Sequence, residues 1–192
     1  MKNKPKLVLG MALLLNLTFV HSQSTNDCTY QTDGTGKAKG LKVSIRYPCS
    51  YTPMDAQTDP NTVKKFSFQN GRNVISLFID KLPDQIKEKD TAKEFSLETI
   101  KKSLQLQGEV NSIKNIIIDG VPSTEAVWTS KDSDINGNEL YTKSLTHFIV
   151  YKRYFIQMIY GTNASTKTEL NKNFASLEHN YRKLAKSIDI LN

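Results

Sequence analysis

The chain has 192 residues, 38% of them hydrophobic and 23% charged, with a formal net charge of +7, two cysteines and three histidines. That is the size of one domain, long enough to bury a real core. Its basic residues fall in scattered pairs, Lys64-Lys65, Lys101-Lys102, Lys152-Arg153 and Arg182-Lys183, with acids between them, so the dense basic stripe of a nucleic-acid binder is missing and no nucleic-acid partner is expected.

Lys2, Lys4 and Lys6 precede an apolar run over residues 7–20, and Val20-His21-Ser22 follows. This order of basic head, short apolar middle and small exit residues predicts a secretory signal over residues 1–22, cleaved after Ser22. A spanning helix needs about 20 apolar residues, which this run lacks, so no stable membrane anchor is expected. Loss of the three leader lysines takes the charge from +7 to +4. Export places the protein in the periplasm or outside the cell. Residues 23–40 are rich in Ser, Thr, Asn, Asp, Gly and Lys, which predicts a flexible polar tail ahead of a single domain over residues 41–192.

Cys28 and Cys49 both lie beyond the cleavage site, in an oxidising compartment if export holds. A bridge between them is favoured over two free thiols and contributes about 3 kcal/mol at most through loop entropy. Thr25-Asn26-Asp27 before Cys28 is polar where a lipobox is apolar and small, so lipidation is not expected.

Leu41, Val43, Ile45 and Tyr47 alternate with Lys42, Ser44 and Arg46, the period of a half-buried strand, which Pro48 ends. A loop with Pro53 and Pro60 follows. Val63, Phe66 and Phe68 then lead through a tight Asn70-Gly71 turn to an apolar run over residues 74–79, a hairpin closed by Leu82-Pro83. Residues 91–107 form the first predicted helix, with Thr91 and Glu94 as a capping box, Gly108 as the stop and Phe95, Leu97, Ile100 and Leu104 mainly on one side.

Val110, Ile113 and residues 116–118 make a strand ending at Asp119-Gly120, and Pro122 restarts the chain. In the next strand Ala126 and Trp128 share one parity, Glu125 and Val127 the other. After a polar loop over residues 131–138 come two long runs of Tyr, Phe, Ile, Val and Thr over residues 139–161, joined at Lys152-Arg153. They read as an antiparallel hairpin at the centre of a sheet, apolar on both faces and therefore covered on both. Thr166 and Glu169 cap the last helix, whose stripe of Leu170, Phe174, Leu177, Tyr181, Leu184 and Ile188 is core. The fold class is α+β, an antiparallel β-sheet flanked by helices on both faces, an αβα sandwich.

Candidate chemistry is sparse. Asp132, Asp134 and Asn136 before Gly137 resemble the first half of a calcium loop, yet Lys143 stands where the bidentate carboxylate belongs, and a polar turn explains the same letters. No other cofactor is expected. His147 lies mid-strand on the parity of Leu145 and Ile149, which reads as a buried histidine satisfied by a neighbouring strand; a general-base role lacks an assignable carboxylate and nucleophile. Trp128, Tyr141, Tyr151 and Tyr154, with Lys143, are the candidate partner-binding residues, since aromatics anchor interfaces as well as cores. Asn163-Ala164-Ser165 matches a glycosylation sequon.

The order of these elements resembles the PsbP-like family. The residues that carry the likeness are Tyr47-Pro48, the Phe and Ile hairpin, a helix carrying Phe95, Ile118-Asp119-Gly120-Val121-Pro122, a Trp strand, a Tyr-rich hairpin and a terminal helix ending Lys186-Ser187-Ile188. The resemblance spans about residues 41–191, and its motifs are structural. It implies an αβα sandwich, shared with the Ran-binding protein Mog and with bacterial periplasmic proteins and lipoproteins, and a non-enzymatic module that binds or stabilises partners. The expected function is thus an exported, monomeric binding or assembly module that holds a protein partner near the Tyr141–Tyr160 hairpin and the Asp132–Glu139 loop. The alternatives are a carrier of a lipid or small apolar ligand held between sheet and helix, and a hydrolase using His147.

Overall fold

A computed structural model of the chain describes residues 26–54, 61–69, 71–134 and 136–191; the leader over 1–22, Pro60 and Asn70 fall outside them. The described elements, in chain order, are β1 (Asp27–Gln31), a 3₁₀ turn (Gly36–Ala38), β2 (Lys42–Pro48), β3 (Thr52–Met54), β4 (Thr62–Phe68) and β5 (Asn73–Lys81). Then come α1 (Glu88–Glu94), α2 (Leu97–Gln105), β6 (Glu109–Ile118), β7 (Val121–Ser133), β8 (Glu139–Tyr151), β9 (Tyr154–Ala164), α3 (Lys167–Ala185) and β10 (Asp189–Leu191).

Seven strands form one antiparallel sheet in the order β3-β4-β5-β9-β8-β7-β6. The long hairpin β8–β9 occupies its middle, as its two-faced apolar pattern predicts. The sheet consists of two local meanders, β3 to β5 and β6 to β9, joined along the single seam where β5 pairs with β9. Leu145, Ile149, Ile156, Met158 and Tyr160 fill one face, buried beneath Phe174, Tyr181 and Leu184 of α3. On the opposite face Ala126 and Phe148 pack against Ile100 and Leu104 of α2. Helices thus cover both faces, and the α+β sandwich follows from the pleat of two central strands.

The stripe on α3 behaves as expected. Thr166 Oγ1 accepts from Glu169 N at 3.2 Å, satisfying one of the free N–H groups of the first turn. Burial of each large side chain on the stripe contributes about 1.5–3 kcal/mol, which explains how a helix so polar on its other face docks firmly.

Three expectations need correction. Residues 27–31 belong to no flexible tail: β1 pairs antiparallel with β2, Cys28 is bridged to Cys49, and buried Thr32 both donates to Leu41 O and accepts from Val43 N, each at 2.9 Å. Polar composition there reflects an edge strand held by main-chain bonds and a crosslink. The first strand of the sequence reading, β2, lies in a separate three-stranded sheet, β1-β2-β10, and packs against α3. Finally, the helix over 91–107 is broken in two. Ser96 takes an extended conformation and its Oγ accepts from Thr99 N at 3.3 Å, so the true cap of α2 is Ser96 and Thr91 sits inside α1.

Gly108 has a packing reason in place of a capping one. A Cβ there would lie 2.2 Å from Thr129 O, so only glycine lets the chain leaving α2 pass so close to β7.

Candidate functional site

Glu125 of β7 and His147 of β8 are register partners on the α3 face. His147 Nε2 lies 3.2 Å from Glu125 Oε2, Lys114 Nζ lies 3.1 Å from Glu125 Oε1, and Arg182 of α3 bonds the same carboxylate through Nη1 while pairing with Glu178. Burial pushes Glu125 up, but hydrogen bonds from His147, Arg182 and Lys114, with the Arg182 charge, outweigh it and hold its carboxyl at about 2. The carboxylate that the sequence reading could not assign to His147 is therefore Glu125. Its signal in the sequence was a lone acid on the inward parity of a strand expected to be covered. His147 is 1% exposed and lies beneath α3, so in this structure the pair faces the core and not an open cleft.

The five candidate partner-binding residues do not form one surface. Tyr141 and Lys143 stand near the start of β8, and each is engaged within the chain. Tyr141 Oη donates to Glu139 at 2.7 Å, and Lys143 Nζ bonds Asn171 at 2.9 Å while lying over the Phe174 ring. Tyr151 and Tyr154 are register partners at the other end of the hairpin, ten residues and about 30 Å away along β8. Tyr154 Oη donates to Lys39 O at 3.0 Å, bracing the loop before β2. Trp128 projects from the opposite face, its Nε1 donating to Thr146 Oγ1 at 3.0 Å.

In the loop before β8, Asp134 Oδ1 accepts from the main-chain N–H groups of Asn136 and Asn138, both at 2.8 Å, and Oδ2 accepts from Asn138 Nδ2 at 3.0 Å. Asp132 Oδ1 accepts from Ser133 N at 2.8 Å. The acids organise a turn, with Gly137 at a positive φ of 82°. Among the described residues no group of three or more His, Cys, Asp or Glu could hold a metal ion. Asn163 of the sequon donates its amide to Gly71 O at 3.2 Å, so in the folded domain the side chain closes the β4–β5 turn.

Open apolar surface gathers on the other face, around α2. A groove of about 730 Å³ runs between the start of α2 and the sheet, lined by Phe95, Leu97, Ile100, Pro122, Phe148 and Val150 with a few hydroxyl and amide groups and no charged side chain. Ile117, at its rim on β6, is 75% exposed. A second cavity of about 340 Å³ continues beneath α2 against Trp128, Phe155 and Ile159. The groove lies at the break between the two helices, where Thr91, Phe95, Ser96 and Leu97 all line it. Sequence reading missed the groove, since Leu97 and Val150 fit a core stripe equally well.

No helix among the described residues is long and apolar enough to cross a membrane. No protein-family model and no curated protein matches the sequence. Solved structures do match. Cyanobacterial PsbP (CyanoP) from Synechocystis aligns with a TM-score of 0.56 at 13% identity, over 89% of this chain and 96% of its own. LpqN, described as involved in cell envelope biogenesis of Mycobacterium tuberculosis, aligns with a TM-score of 0.53 at 12% identity, over 87% of this chain and 92% of its own.

Proposed function

From a PsbP-like fold, we propose that this chain is an exported, non-enzymatic binding or assembly module that holds a protein partner in the cell envelope or outside the cell. The observation that carries this reading is the uncharged apolar groove beside α2, with Ile117 exposed at its rim. Exposed, contiguous apolar surface on a folded domain marks an interaction site. A partner segment presenting apolar side chains fits it, and the hydroxyl and amide groups along the groove supply orientation.

The Cys28–Cys49 bridge suits an oxidising compartment, and LpqN, of similar fold, is described as acting in envelope biogenesis. The test is native purification of the tagged mature protein from its own cell envelope, wild type beside Leu97→Glu. Leu97 opens α2, where an acidic side chain favours the helix, so the variant folds while placing a charge in the groove. A stoichiometric protein retained by wild type and lost from the variant supports the reading; a partner retained equally by both removes the groove from it.

A second reading rests on the cavity beneath α2. Its walls of Phe155, Ile159 and Trp128 suit a small apolar ligand, carried between helix and sheet. Mass spectrometry of the same preparation that finds a bound lipid and no protein supports the carrier instead.

A further inference from the structure

The sheet ends on one side at β6, a strand of ten residues with nothing paired along its outer edge among the described residues. Natural sheets blunt such edges with charge, proline, bulges or brevity. The other end strand, β3, is three residues long and contains Pro53. On β6 the register shifts between Val110 and Ser112, which leaves a regular edge over residues 112–118. That stretch, Ser-Ile-Lys-Asn-Ile-Ile-Ile, has one charge, Lys114, which points to the α3 face and pairs with Glu125 at 3.1 Å.

The turn fixes which main-chain groups face outward. Asp119 and Gly120 both have positive φ, 48° and 75°, the two-residue hairpin turn that makes Ile118 and Val121 a hydrogen-bonded pair. Alternation along the strand then directs the N–H and C=O of Ile118, Ile116 and Lys114 toward β7, and those of Ile117, Asn115 and Ile113 toward solvent. No hydrogen bond among the described residues uses these outward groups. The side chains of the same three residues lie on the α2 face, beside Pro122, Thr124 and Ala126.

We infer that β6 pairs antiparallel with β6 of a second copy of this chain, about a two-fold axis through Asn115. Outward residues must meet outward residues, and this register satisfies that condition throughout: Asn115 faces Asn115, and Ile113 faces Ile117 twice. Six main-chain hydrogen bonds close, and each exposed Ile117 is covered by an Ile113 on the same face. A second copy fits better than an unrelated strand because the edge is its own complement in shape and polarity, with each Lys114 turned to the α3 face and paired with its own chain's Glu125. The axis is perpendicular to the sheet, so both α2 grooves open on the same side of a continuous fourteen-stranded sheet. An interface built on one strand pair is small, at the low end of specific contacts, where association is weak and reversible.

The experiment uses the mature full-length chain. Sedimentation velocity over a series reaching about 200 μM is expected to show a monomer–dimer equilibrium. Asn115→Pro removes one outward N–H without touching the β7 ladder, and Ile117→Lys charges the seam; each is expected to raise the dissociation constant by about tenfold or more while leaving the fold intact. Asn115→Cys, oxidised in native buffer, is expected to crosslink to itself, because hydrogen-bonded antiparallel pairs stand about 5.5 Å apart at Cα, within disulfide reach. Ile113→Cys alone is expected not to, but to crosslink when mixed with Ile117→Cys. A wild type that stays monomeric throughout, a dimer indifferent to Asn115→Pro, or an Asn115→Cys chain that captures a different envelope protein in place of itself would overturn the inference.

Discussion

Glu125 and His147 face each other across β7 and β8, and one oxygen of Glu125 contacts His147 while the other is taken by Arg182 and Lys114. The carboxylate is thus the common partner of three groups from three different elements. Its removal leaves His147 buried and Arg182 half-buried without it, while Lys114 stays exposed to solvent.

Acid is expected to weaken the fold through this group. Glu125 is held at about 2 against an ordinary 4.5, so its contribution is complete above the unfolded value and is lost as pH falls from about 4.5 toward 2, up to roughly 3 kcal/mol. Urea unfolding across that window should show wild-type stability falling steeply. Glu125→Gln should be less stable at neutral pH by a similar amount and flatter in acid; a parallel curve for the two proteins would contradict the assignment.

Gly108→Ala should destabilise by about 1–3 kcal/mol, although the site is neither buried core nor a positive-φ position. The added carbon would meet the Thr129 carbonyl oxygen, and the backbone on both sides would have to shift. Thermal unfolding of this variant beside Gly137→Ala, which meets no atom but strains a positive φ, separates crowding from backbone preference.

Replacing both Cys28 and Cys49 by Ser should cost about 3 kcal/mol, the loop entropy for a separation of 21 residues. Hydrogen exchange should show the loss first in β1, which then rests on its ladder with β2, the packing of Tyr30 on Phe66 and the Asp27–Lys183 pair. Equal protection of β1 with and without the bridge would show that these contacts suffice.

Tyr141→Phe and Lys143→Ala should leave partner retention unchanged, whereas Leu97→Glu abolishes it. Tyr141 and Lys143 spend their polar atoms on Glu139 and Asn171. A pull-down with the three variants side by side decides between the hairpin surface and the groove.

Much of the architecture was legible because its signals are local. The parity of Leu145 and Phe148 announced a sheet buried on both faces, and the Thr166 cap with its stripe from Leu170 to Ile188 announced α3. The missed elements depend on distant partners. β1 is a strand because β2 and a crosslink hold it, and β10 because it pairs with Val43 and its neighbours; neither carries enough apolar alternation to declare itself. The break at Ser96 is decided by a hydroxyl choosing the Thr99 N–H over helix continuation, a competition of about 1 kcal/mol that helical periodicity does not register. The groove was illegible for the same reason: whether Leu97 and Val150 are covered depends on where α1 turns away.

The seam between β5 and β9 bears on how the chain reaches this state. Each meander closes through neighbouring hairpins, but Ile75 meets Tyr160 only after the intervening segment has been threaded, and loop-closure entropy opposes that step. Refolding should therefore proceed in two stages, with β6 to β9 gaining structure before β3 to β5 docks. During the interval the flank of β9 stands bare, and a molecule caught there is the one most prone to join the wrong neighbour.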